Sequence, residues 1–225
     1  MSDPLPRALD RAIARLEGFV GPHRASGTRE TPEDFAQGFE QLMELVQRWN
    51  SVHDLTSAED FERLFDLYFA DAWVLAQLGA QQRDWVDVGS GGGAPGLTLA
   101  LLRPSLKLTL VEPRRKRVSF LRTAIGQLGV VDRVQVDATR SEKLQASSFD
   151  VAISRATLPP VAWLGEGTRL ARRQVWVLLS KETDLPQQLD LSATHAGWHR
   201  MVECRYEWPL TGARRVAIAY ETSLA

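Results

Sequence analysis

Within the stretch Trp85–Pro104, WVDVGSGGGAPGLTLALLRP, five glycines fall in eight residues, behind an apolar run and ahead of a helix-like one. A strand, a glycine-rich turn and a helix bring bare backbone N–H groups and a helix N-terminus against a nucleotide-like ligand. Gly91, Gly93 and Gly96 satisfy GxGxxG, a spacing that arises readily in any glycine-rich turn. Two carboxylates narrow the chemistry. Asp87 stands two places before Gly89, near the end of a buried strand, where a carboxylate has a desolvation cost and needs a partner. Pyrophosphate would repel it, whereas a cationic or amine-bearing ligand would favour it; S-adenosylmethionine offers both a sulfonium and an amino group. Glu112 closes the next apolar run, roughly 20 residues beyond the loop, the spacing at which a carboxylate accepts hydrogen bonds from both ribose hydroxyls.

The elements that must position these groups follow from periodicity. Apolar spacings of three and four predict amphipathic helices over 5–19 and 34–48, the second with Thr31 as N-cap and Pro32 at its first position, and a third helix from about Ala58 to Leu78. From Asp84 the pattern becomes short, continuously apolar runs alternating with helical segments: DWVDV, LKLTLVE, DRVQVD, FDVAIS and QVWVLLS. Such runs predict parallel strands covered on both faces. RMVECRYEW and RRVAIAYE are separated only by the hairpin-sized PLTGA, so they pair antiparallel. The expected fold is α/β: five parallel strands plus a C-terminal antiparallel hairpin, with helices on both faces. A helical extension over 1–80 precedes a cofactor-binding domain over 81–225.

The chain's 44% hydrophobic and 24% charged residues are ordinary globular values. A single cysteine, Cys204, excludes an internal disulfide and a cysteine-built zinc site, and fits a cytoplasmic location. His195 and His199 stand four apart, but Gly197 weakens a helix there and the glutamate of HExxH is missing, so they read as surface and no metal is expected. No apolar run reaches the length of a membrane span, and the N-terminus lacks a signal-peptide core. The net charge of −1 hides an asymmetry: residues 1–83 carry 8 basic and 14 acidic side chains, residues 84–225 carry 19 and 14. An anionic partner meeting the C-terminal part and an ordinary solvated face fit this equally. Arg114, Arg115, Lys116 and Arg117, with Arg122 about one helical turn beyond, are candidate phosphate contacts, although a helix spreads four consecutive residues around its circumference.

VDVGSGGG with Glu112 resembles the opening motif and ribose-binding acid of the class I S-adenosylmethionine-dependent methyltransferases. RWNSVHDLTS, DVGSGGGAPG, RKRVSFLR, RSE, SRA and LLSKE, in that order, narrow the resemblance to the bacterial small-subunit ribosomal RNA guanine-N7 methyltransferases, the glucose-inhibited division protein B family, over roughly Leu42 to Tyr220. The resemblance implies a Rossmann-like fold, S-adenosylmethionine as donor and S-adenosylhomocysteine as product. It also implies ribosomal RNA or the small subunit as partner, in a chain otherwise taken as a monomer. Gly89 and Ala94 would line the cofactor loop, Ser141 and Glu142 would meet the adenine, and Arg155 of SRA would sit where methyl and target base meet. Lys181 of LLSKE would face the same edge, and Asn50 of RWN is a candidate RNA contact. Asp137 is an alternative adenine contact to Ser141 and Glu142. Guanine N7 carries a lone pair and no proton, so the implied reaction needs no general base, and Arg155 and Lys181 are binders rather than proton carriers.

The chain departs from the family pattern at Asp54 (family NLT), Tyr68 (family histidine), Ala94 (a larger apolar residue) and Glu182 (glycine). These departures keep other readings open: a methyltransferase for another RNA or a small molecule, or a cofactor-binding RNA-binding or assembly protein that has lost the activity. A nicotinamide-dependent oxidoreductase would share GxGxxG, but Asp87 and the terminal hairpin argue against it.

Overall fold

The computed structural model describes residues 4–24, 30–58, 60–79, 81–180 and 197–222. Its helices are α1 (Leu5–Val20), α2 (Phe35–His53), α3 (Phe61–Leu78), α4 (Gly96–Leu102), α5 (Arg115–Gln127) and α6 (Pro160–Leu170). Its strands are β1 (Asp84–Val88), β2 (Lys107–Val111), β3 (Val134–Asp137), β4 (Phe149–Arg155), β5 (Ala171–Leu179), β6 (Trp198–Glu207) and β7 (Arg214–Thr222). The strands form one sheet in the order β3-β2-β1-β4-β5-β7-β6. The first five are parallel, while β7 is antiparallel to both β5 and β6, which is the arrangement the sequence predicts.

Side-chain alternation explains why the strand sequences are continuously apolar. Trp85, Leu108, Leu110, Val151, Ile153 and Trp176 join a core shared with α1 to α5. Their neighbours Val86, Val88, Ala152, Val175 and Val177 pack in a second core with Trp163 and Leu164 of α6. Both faces are dry, so every strand position selects for apolar side chains. Each fully buried large side chain contributes roughly 1.5–3 kcal/mol over its exposed state.

The helix α3 is buried at every position from Tyr68 to Leu78, as expected of a helix enclosed by protein on all sides. It contains two buried acids, and both reach the C-terminal hairpin. Asp66 accepts hydrogen bonds from the N–H groups of Leu210 and Thr211 and from Thr211 Oγ1, at 2.8–3.2 Å. Asp71 accepts from Tyr206 Oη at 2.7 Å and Trp208 Nε1 at 3.1 Å. From α1, Arg15 Nη1 donates to the carbonyl of Pro209 at 3.0 Å. The N-terminal helices therefore hold the hairpin turn as well as covering the sheet.

Three helix boundaries differ from the sequence expectation. The α2 helix begins at Phe35 rather than Pro32, because Phe35 N–H closes a turn onto the Pro32 carbonyl at 3.0 Å, and Thr31 caps nothing. It runs past Arg48 to His53 and stops where Asp54 enters the left-handed region at φ 46°. The α3 helix begins at Phe61 rather than near Ala58, because Asp60 Oδ1 accepts Arg63 N–H at 2.7 Å as its N-cap.

Candidate active site

The strand order reverses between β1 and β4, and in open parallel sheets ligands collect outside the carboxyl ends of the strands at that point. A cleft of about 1050 Å³ opens there. Register sets its floor: Val88 pairs with Val111 and with Ser154, and Arg155 pairs with Leu178, which in turn pairs with Ala217 of β7. Because β7 runs antiparallel, its first residues and the last of β6 reach this same edge.

One end of the cleft is the glycine loop. Gly89, with φ 73°, follows β1, and a Cβ there would lie 2.2 Å from Thr157 Oγ1, so only glycine fits. The N–H groups of Gly89 and Ser90 donate to the Val111 carbonyl at 2.9 and 3.1 Å, tying the loop to β2. Glu112 faces the cleft although it is 3% exposed. Its two carboxylate oxygens accept from Gly91 N–H at 3.0 Å and Arg114 N–H at 2.9 Å, and Arg117 Nη1 lies 3.9 Å away. A buried carboxylate held this way keeps lone pairs for a diol. Gly91 presents bare backbone to the cleft, and Tyr68 Oη anchors the loop by donating to the Gly92 carbonyl at 2.5 Å. These groups fit the nucleoside of S-adenosylmethionine.

The other end is built around Asp71, which is 2% exposed and lies on the cleft. While one of its oxygens takes Tyr206 and Trp208, the other lies 3.9 Å from Arg155 Nη1. Arg155 also donates to the Leu67 carbonyl at 3.5 Å. The guanidinium of Arg215 lies over the Trp208 ring, 3.7 Å from its centroid, and Nη1 donates to the carbonyls of Ser180 and Arg214 at 3.1 and 2.8 Å. Burial lowers the Arg215 pKa and raises that of Tyr206, which the adjacent Asp71 charge raises further.

The residues singled out in the sequence are brought together unevenly. Gly89, Gly91, Ala94, Glu112, Arg114, Arg117 and Arg155 line the cleft. Gly93 lies outside its lining; a Cβ there would strike Leu97 Cδ1 at 2.4 Å, so its glycine serves helix packing. Asp87 is also behind the loop rather than in the cleft. It is 1% exposed, its Oδ2 has no hydrogen-bond partner, and a Cβ on Gly96 would sit 2.6 Å from that oxygen. Burial pushes Asp87 up to about 7, against the opposing pull of Arg155 and of hydrogen bonds from Ser90 and Gly96. Ser141 and Glu142 are outside the lining too: the Ser141 carbonyl accepts Arg169 Nη2 at 2.8 Å within the Arg169–Glu166 ion pair, and Glu142 is exposed. Asp137 is likewise outside.

The basic run divides as helical geometry requires, with Arg115 and Lys116 exposed away from the cleft that Arg114 and Arg117 line. Asn50 Oδ1 accepts Thr56 N–H at 2.8 Å, bracing the 54–57 loop that does line the cleft. Lys181, Glu182 and His195 lie outside the described residues. Sequence reasoning missed Asp71, Trp208 and Arg215 as members of one constellation. Trp73, Trp85 and Trp176 serve packing alone, all at most 1% exposed and off the cleft. Trp208 is packed and on the cleft as well.

A sequence model of the family described as rRNA small subunit methyltransferase G matches residues 36–199. The ribosomal RNA small subunit methyltransferase G of Rhizorhabdus wittichii is 34% identical over 166 residues, covering 72% of this chain and 76% of that protein. That of Halorhodospira halophila is 41% identical over 133 residues, covering 58% of this chain and 61% of that protein. A SAM-dependent methyltransferase structure from Aquifex aeolicus superposes with a TM-score of 0.54 at 16% identity, over 79% of this chain and 98% of that one, a likeness of fold.

Proposed function

The chain belongs to the rRNA small subunit methyltransferase G family and is an S-adenosylmethionine-dependent rRNA methyltransferase; from that premise we propose that it methylates N7 of a guanine in small-subunit ribosomal RNA. One observation carries the reading: a single cleft at the strand-order reversal has a buried carboxylate, Glu112, held by two backbone N–H groups at one end and the Arg155–Asp71 pair at the other.

The residues divide the work by position. When bound, S-adenosylmethionine supplies an electrophilic methyl on a sulfonium. Glu112, fixed by two backbone N–H donors, accepts the ribose hydroxyls, and Gly89, Gly91 and Ala94 leave room for the nucleoside. Asp87 supports the loop from behind. Arg155 stands at the end of β4, where the acceptor must lie, and Asp71 fixes its orientation. Guanine N7 needs no deprotonation, so these groups act by orientation and by preset charge in a partly dry cleft. An arginine holds its proton at any physiological pH, which suits positioning rather than proton transfer. Arg114 and Arg117 at the mouth supply phosphate contacts, and Arg115 and Lys116 extend that basic surface outward.

The base must leave its stack to enter, because the deep, narrow major groove of A-form RNA shields N7. The test is methyl transfer from labelled S-adenosylmethionine to small subunits lacking the modification, with nuclease mapping of the product. Label recovered as N7-methylguanine at one site, and lost with Arg155→Ala, is the expected result. Label on another atom or another RNA would overturn the guanine-N7 assignment.

A further inference from the structure

Fixing the methyl donor leaves open what holds the acceptor base flat and still. We propose that Arg215, laid on Trp208 and backed by Asp71, is the surface on which the target guanine stacks; the proposal rests on the methyltransferase reading above and identifies its base-recognition residue. Three observations converge on it. Topology places the pair at the acceptor end: β7 is antiparallel to β5, so its start meets the end of β5 at the Leu179–Val216 pairing, and both Trp208 and Arg215 line the cleft. This is the β4–β5–β7 side, across Arg155 from the glycine loop and Glu112, which follow β1 and β2.

The side chain is also preset as a plane. Its guanidinium lies 3.7 Å from the Trp208 ring centroid, with Nη1 held by two carbonyls. Among the described residues Nε and Nη2 make no hydrogen bond, although Arg215 is half-buried. A planar cation with an aromatic ring on one side offers a stacking face to an unstacked base, and its Nε and Nη2, without partners among the described residues, can reach a carbonyl such as guanine O6.

The third observation concerns what supports the plane. Trp208 is 8% exposed, and its indole N–H is tied to Asp71 at 3.1 Å, the carboxylate that also faces Arg155 at 3.9 Å. Two arginines converge on the acceptor end, and N7-methylation leaves positive charge on the guanine. A buried carboxylate between them offsets that charge where it develops. One side chain thus orients both arginines through direct and indirect contact.

Arg215→Lys separates stacking from charge, because lysine keeps the cation and loses the plane. Steady-state methyl transfer to small subunits would be measured for wild type, Arg215→Lys, Arg215→Ala and Trp208→Phe, beside S-adenosylmethionine binding by calorimetry and the salt dependence of transfer. We expect kcat/KM to fall about tenfold or more in both Arg215 variants, with cofactor Kd within twofold of wild type and an unchanged salt slope. Trp208→Phe, which keeps a ring, should fall less. Wild-type kcat/KM in Arg215→Lys, or a shallower salt slope in Arg215→Ala, would assign Arg215 to a phosphate and overturn the stacking role. Loss of cofactor binding in the Arg215 variants would make the residue structural and overturn it equally. If wild type itself transfers no methyl to the subunit, the parent reading fails; this inference fails alone when wild type is active and the variants match it.

Discussion

The two ends of the cleft are made in different ways. At the donor end nearly every interaction is local: Glu112 is held by Arg114 two residues on and by Gly91 in the preceding loop, and that loop is tied back to Val111. At the acceptor end the partners are far apart in the chain, with Asp71 on α3 holding Tyr206 and Trp208 beyond the last parallel strand. On the proposed assignment, donor binding is a property of a turn between two strands, whereas acceptor binding depends on the N-terminal helices and the C-terminal hairpin meeting. Within the acidic N-terminal third, Asp66 and Asp71 hold the C-terminal hairpin from the inside of the molecule.

The sharpest way to break this division is Asp71→Ala. Removing one partner leaves Arg155 facing an empty site and two buried donors on Tyr206 and Trp208 unsatisfied. The expected loss is about 3–5 kcal/mol, the range for breaking a buried pair, read by urea denaturation. Asp71→Asn keeps an acceptor for Tyr206 and Trp208 and should lose less stability while still losing methyl transfer. If Asp71→Ala unfolds no more easily than wild type, the Asp71 bonds to Tyr206 and Trp208 do not hold the hairpin, and only those of Asp66 tie it to α3.

Gly89→Ala tests the donor end with a change of one methyl. The added Cβ meets Thr157 and the backbone sits at φ 73°, so strain of about 1–3 kcal/mol is expected, together with weaker S-adenosylmethionine binding by calorimetry. Unchanged cofactor affinity would mean that the loop shifts freely and that the Gly89–Thr157 contact sets nothing.

These contrasts also explain what was legible in the sequence. The strand runs, the hairpin and the glycine loop could be read because each is encoded within a few consecutive residues. Arg155 and Glu112 were legible as strand-end residues in short motifs. Asp71 and Arg215 carried no such signal: one lies inside an apolar helix and the other near the start of β7, a strand paired on both sides, and only tertiary packing gives them a shared neighbour in Trp208. Asp87 misled in the opposite direction. Its carboxylate does lack a partner on one oxygen, as its burial implied, but it is turned toward Gly96 behind the loop instead of into the cleft.

Asp87 makes that correction measurable through pH. Its folded pKa is raised from 3.8 to about 7, so folding favours the protonated carboxyl. The associated stability is fully present below the unfolded value and is lost as pH rises through about 7. Asp87→Asn should remove that loss, so the variant gains on wild type in urea denaturation as pH rises from about 4 to about 7. Because the side chain lies behind the loop, cofactor Kd should change less than threefold. A tenfold weaker Kd would return Asp87 to direct cofactor recognition.

The smallest expected effect belongs to Tyr68, whose hydroxyl joins the two ends by linking α3 to the glycine loop. Tyr68→Phe removes the bond to the Gly92 carbonyl but preserves the buried ring, so its stability cost should be only about 0.5–1.5 kcal/mol. The informative readout is how that loss is distributed. If α3 sets the spacing between donor and acceptor, KM for S-adenosylmethionine should rise a few-fold while KM for the small subunit stays fixed, since Asp71, one helical turn away, still holds the hairpin. A rise in both would show that the loop and the hairpin move as one body through α3, and the division between a local donor site and a tertiary acceptor site would then describe how the cleft is assembled but not how it works.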